Sequence, residues 1–144
     1  MPLRLLITIA FLVAAFPAHA QTSSAREMFE RLGMLATFSI DCSLPPSDSN
    51  GYIVYRAMDG ARVQRDTMTS QTNRMFVSVA ETASHSGMNE ITINGSADGK
   101  RLSYVLRLDG PRHRVMQWIE DGKQSVVDGV WDARYTMPWV TKCQ

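Results

Sequence analysis

Residues 100–129, KRLSYVLRLDGPRHRVMQWIEDGKQSVVDG, decide how the chain folds. From Lys100 to Leu108 the residues alternate, with Leu102, Tyr104, Leu106 and Leu108 on one side of an extended chain and Ser103, Val105 and Arg107 on the other. A period of two belongs to a strand with one covered face, so the first set is expected to point inward. Asp109-Gly110, Asp121-Gly122 and Asp128-Gly129 interrupt the apolar runs at hairpin spacing. Asp-Gly tolerates the positive φ angles that tight reversals require. The stretch therefore spells consecutive strands folding back on one another.

Working outward, Asn50-Gly51, Asp59-Gly60, Ser86-Gly87, Asn94-Gly95 and Asp98-Gly99 mark further reversals. Between them, segments 35–42, 51–58, 61–68, 74–81 and 89–94 are rich in β-branched, aromatic and alternating residues. With 100–108, 113–120 and 123–128 they make about eight strands. The expected fold is mainly β, an antiparallel up-and-down barrel of lipocalin-like form; a half-open sandwich would give the same pattern. In the first strand Ala36, Phe38, Ile40 and Cys42 share one face and Thr37, Ser39 and Asp41 the other. Ahead of it, SSAREMFERLG (23–33) reads as a short helix capped by Ser23 or Ser24, with Met28, Phe29 and Leu32 as its apolar stripe and Gly33 as its stop. Such a helix suits the end of a barrel as a plug. SLPPSDSN (43–50) cannot continue a strand through Pro45 and Pro46 and reads as a rim loop.

The N-terminus points to export. Arg4 precedes an apolar run from Leu5 to Phe16, and small residues stand at Ala18 and Ala20. This is the pattern of a signal peptide over residues 1–20, cut after Ala20. The run is shorter than the roughly 20 residues a membrane-spanning helix needs. The mature chain is then expected to be a single domain, 21–144, periplasmic or secreted, with no stable membrane anchor. The full sequence carries 15 Lys+Arg and 14 Asp+Glu, so loss of Arg4 leaves 14 of each. That balance provides no overall field to attract nucleic acid. In an oxidising compartment Cys42 and Cys143 are expected to form a disulfide that pins the tail to the first strand.

FSIDCSLPPSDSNGYIVY (38–55), DGKQSVVDG (121–129) and PWVTKC (138–143) together resemble a group of short exported alphaproteobacterial proteins of uncharacterised role. Its members share an Asp-Cys strand, a Pro-Pro loop, a Tyr-bearing strand and a closing Pro-Trp-x-x-x-Cys. The resemblance covers both ends and the strand spacing. Phe38 stands where that group usually has tryptophan, and where a lipocalin would have its Gly-x-Trp start. What the resemblance implies is export, the disulfide and a barrel-like fold; it implies no activity.

Nothing in the pattern points to catalysis. No Gly-x-Ser-x-Gly turn is present, and only His85 and His113 follow the expected cut. No metal-ligand spacing occurs, so neither metal nor cofactor is expected. His85 reads as part of a solvated turn and His113 as solvent-facing at a strand start. If the even-numbered residues of RHRVMQWIE (112–120) point inward, Arg112 and Arg114 stand at the barrel mouth above Met116 and Trp118, near Tyr104. Tyr104, Arg112, Arg114 and Trp118 would then hold an amphipathic molecule with an anionic head. The competing reading fills the barrel with Tyr104 and Trp118 and leaves the arginines in solvent. The expected role is non-enzymatic binding of a small molecule or lipid. The alternative is an envelope accessory or inhibitor protein that meets an envelope protein through SLPPSDSN.

Overall fold

The computed structural model describes residues 22–144, and the expected signal peptide lies outside them. In chain order the elements are β1 (Ser23–Ser24), α1 (Ala25–Arg31), β2 (Thr37–Ser39), β3 (Tyr52–Ala57), β4 (Val63–Met68), β5 (Arg74–Gly87) and β6 (Glu90–Ala97). There follow β7 (Lys100–Asp109), β8 (Arg112–Glu120), β9 (Lys123–Val127), β10 (Val130–Trp131), β11 (Tyr135–Thr136) and β12 (Val140–Lys142). No helix among the described residues is long and apolar enough to cross a membrane.

Strands β2 to β8 pair antiparallel in sequence order, and β12 inserts between β8 and β2, antiparallel to both. The ring is a closed eight-strand barrel, which excludes the half-open sandwich, because closure leaves neither end of the meander as a bare edge. Segment 123–128 was expected as the eighth stave. Instead β8 forks: Arg112 and His113 face β12, while Trp118, Ile119 and Glu120 pair with β9. Strands β9 to β11 branch away from the ring there. Cys42 and Cys143 form the disulfide, with Cα atoms 5.4 Å apart, and the Cys143 amide donates to the Thr37 carbonyl at 2.8 Å. The tail is thereby fixed to the first stave.

Helix α1 closes one end of the barrel. Ser24 caps it, its Oγ accepting from the Glu27 amide at 3.2 Å, and Gly33 leaves it at φ +64°. Ala25, Met28 and Phe29 are fully buried, and the Phe29 ring meets Tyr55 edge-on at 5.0 Å. On β7 the expected inward set holds: Leu102, Tyr104 and Leu106 are buried and Leu108 is half-buried. On β2 the alternation holds only in part: Phe38 is buried in the core, but Ser39 is fully buried as well and Ile40 is 45% exposed, because the strand ends at Ser39, whose hydroxyl donates to Asn50 Oδ1 at 2.9 Å.

Asn50-Gly51 therefore makes no hairpin. The Asn50 carboxamide is buried and ties the rim loop together, accepting from the Asp41 amide and donating to the carbonyls of Asp41, Leu44 and Pro45. Asp98-Gly99, Asp121-Gly122 and Asp128-Gly129 do turn the chain, each with two consecutive positive φ angles. Ser86-Gly87 ends β5, and the reversal falls on Met88 and Asn89. Asn94-Gly95 lies inside β6, where Gly95 faces Ala80 beside a bulge in β5. A Cβ at Gly95 would sit 1.9 Å from the Val79 carbonyl oxygen, so glycine serves close strand approach rather than a turn. Gly95→Ala is expected to cost about 2–3 kcal/mol, as overpacking against backbone does. Urea unfolding would measure it, and a loss below half a kcal/mol would show that the bulge yields freely.

Candidate functional site

The register of β7 against β8 decides which side chains enter the barrel. Val105 faces Gln117 and Leu106 faces Val115, so Met116 is an extra residue that reverses the alternation. Ahead of the bulge the inward residues are His113 and Val115; beyond it, Trp118 turns inward. The four residues expected to share a site are therefore divided. Tyr104 and Trp118 stack inside at 5.1 Å, and Phe76 meets Trp118 edge-on at 5.3 Å. Arg112 and Arg114 lie on the other face, their guanidinium groups 5.1 and 5.2 Å from the Trp139 ring. Placing both arginines above Trp118 at a common mouth fails because the extra residue separates their parity from that of Trp118. His113, expected in solvent, is 1% exposed, while His85 is exposed but on β5 rather than in a turn.

His113 belongs to a polar layer inside the barrel. Its Nε2 is 3.2 Å from the Tyr55 hydroxyl, and its ring packs edge-on to Phe38 at 4.5 Å. Burial, and then the nearby charge of Arg65, bring its pKa down to about 3, so the imidazole is neutral at physiological pH. Arg65 stands between Val63 and Thr67 on the inward face of β4 and is 6% exposed. Its Nη1 donates to Thr67 Oγ1 at 2.9 Å, and its guanidinium lies 5.3 Å from the Trp118 ring. Among the described residues it makes no ion pair. Burial raises the pKa values of Tyr55 and Tyr104, an effect that Arg65 partly offsets at each. Arg65 Nε, Ser78 Oγ, Tyr104 Oη and His113 Nδ1 are buried and have no partner among the described residues.

A cavity of about 300 Å³ opens at the end of the barrel, between the C-terminal end of α1, the β7–β8 turn and β12. Leu32, Met34, Phe38, Leu108 and Pro111 give it an apolar wall. Arg112, Lys142 and the neutral His113 supply its polar groups, and no carboxylate among the described residues lines it. Lys142 Nζ is held by the Gly33 carbonyl at 2.9 Å, and Arg112 pairs with Asp109 beside the opening. Two other concavities, of about 290 and 450 Å³, include acidic walls: Glu90 and Asp128 in the first, Glu81 in the second. Only the end cavity among these three combines an apolar wall with purely cationic charge.

Sequence reasoning found Arg112 but missed Arg65, His113 and Lys142. Arg65 had a signal, since Val63, Arg65 and Thr67 alternate on one face and a charge falls on its covered side. Lys142 had none, because its position depends on where β12 enters the ring. Fold and site together define a small closed β-barrel of lipocalin-like form, with a cationic end cavity and a buried polar layer. Comparison with family models, characterised proteins and solved structures finds no match to the chain.

Proposed function

We propose that the protein is an exported binding barrel that holds a small amphipathic anion in its end cavity. The observation that carries this reading is the lining: an apolar wall with Arg112 and Lys142 as its only charged groups among the described residues. An alkyl or aryl chain would cover Leu32, Met34, Phe38 and Leu108, while a carboxylate or phosphate would take charge-assisted hydrogen bonds from the two cations. Neutral His113 adds no competing charge. The disulfide accords with an oxidising compartment.

Octanoate, with octanol as its uncharged counterpart, tests the reading. Saturating octanoate is expected to raise the melting temperature, since a ligand at 100 times its Kd adds about 2.7 kcal/mol of stability. Octanol should do much less. Leu108→Glu, which places a carboxylate in the cavity wall, should abolish the octanoate shift. Equal shifts in wild type and Leu108→Glu, or none in either, would remove the cavity as the binding site.

A second reading follows from the rim loop. The Asn50 carboxamide fixes it in one shape, and Leu44 and Ile40 stand on it 53% and 45% exposed. A preordered apolar projection loses little entropy on docking, which suits an envelope protein partner.

A further inference from the structure

The polar layer inside the barrel shares His113 with the end cavity but has a chemistry of its own around Arg65. Arg65 carries a permanent charge, yet it is nearly fully enclosed and no carboxylate meets it among the described residues. Its neighbour Asp66 points to the opposite face, where Arg56 Nη1 holds it at 2.5 Å and Gln64 Nε2 at 2.8 Å. A buried cation that lacks a counter-charge is strongly unfavourable. The stacked face of Trp118 and the Thr67 hydroxyl satisfy part of the guanidinium and leave Nε–H without an acceptor.

Two of the other unpartnered groups, Ser78 Oγ and Tyr104 Oη, share the barrel interior with it. Ser78 is the direct cross-strand partner of Arg65, on the same inward face. Tyr104 stacks on the Trp118 ring that also carries the guanidinium, with centroid separations of 5.1 and 5.3 Å. Both hydroxyls are buried and unpartnered, so Arg65, Ser78 and Tyr104 all offer hydrogens that find no acceptor among the described residues. Water would satisfy the hydrogen bonds but would bring no charge. Tyr55, Phe76, Tyr104 and Trp118 fill the space nearby and restrict the occupant's size.

We propose that this layer is an internal anion site that takes one small anion of halide size, bound by the Arg65 guanidinium with the Ser78 and Tyr104 hydroxyls donating to it. The anion supplies the counter-charge missing from the sequence on the covered face of β4.

Bromide tests this directly. Anomalous diffraction from crystals grown in sodium bromide should show a peak in contact with Arg65 Nε, inside the barrel. In solution, the melting temperature should rise saturably with chloride against gluconate at constant ionic strength. Arg65→Met should remove that dependence, whether or not the apolar replacement is itself stabilising. Ser78→Ala, which keeps the cation, should shift half-saturation to several-fold higher chloride. Bromide found only at the protein surface, or the same chloride dependence in wild type and Arg65→Met, would overturn the proposal.

Discussion

Replacing Cys42 and Cys143 together by serine is expected to lower stability by about 4–5 kcal/mol, the loss of chain restriction for a loop of roughly 100 residues. The two cysteines are separated by 101 positions, so their bond encloses nearly the whole barrel. Local structure does little to hold the same seam. Strand β12 has three residues; it pairs with β2 at Thr141–Ser39 and Lys142–Phe38 and with β8 at Val140–His113 and Thr141–Arg112, and the Cys143 and Lys142 amides add one bond each, to the Thr37 and Pro111 carbonyls. Without the covalent link this short stave should fray, leaving β2 and β8 as exposed edges. Urea unfolding would show a lower midpoint together with a larger m-value, because the uncrosslinked unfolded chain exposes more surface. A double variant within about 1 kcal/mol of wild type would mean that β12 closes the barrel through its own contacts.

The parts of this fold that were legible in sequence are those set by local chemistry. Alternation from Leu102 to Leu108 assigned the core face of β7, and five Asp-Gly pairs located reversals through the positive φ their glycines adopt. The departures come from features in which a second strand decides the outcome. Asn94-Gly95 has the composition of a turn, but the Val79 carbonyl makes it a site of close approach. Asn50 likewise resembles a turn residue, yet its carboxamide organises a loop through carbonyls several positions away. The extra residue at Met116 left the alternation of β8 undecidable from sequence, and with it the sides occupied by Arg112, Arg114 and Trp118. One bulged residue exchanges inside for outside. The end cavity was least legible, since its wall joins the end of α1, the β7–β8 turn and β12, which meet only when the ring closes.

Acid should weaken the fold through His113, with a sign that follows from its burial. The folded imidazole has its pKa lowered from 6.5 to about 3, whereas the unfolded chain returns it to the ordinary value. Between these values the unfolded state binds a proton that the folded state refuses, so stability rises with pH. The His113 contribution is fully present above about pH 6.5 and is lost as pH falls toward 3. Between pH 7.5 and 4.5 the expected loss is roughly 2–3 kcal/mol. The groups around His113 are Tyr55 from β3, Arg65 from β4, and Arg112 and Lys142 at the cavity. His113→Gln is the informative variant, because it keeps a polar side chain without the titration. Its absolute stability will differ from wild type through changed packing, so the quantity to compare is the change between the two pH values. The Asp41 carboxyl, whose pKa is lowered by hydrogen bonds from Ser43, is common to both proteins and cancels. A smaller acid loss in His113→Gln, by those 2–3 kcal/mol, would identify the buried imidazole as the group that must be protonated on unfolding. Equal losses in the two proteins would mean that the folded barrel accepts the proton at His113, and with it a second positive charge beside Arg65.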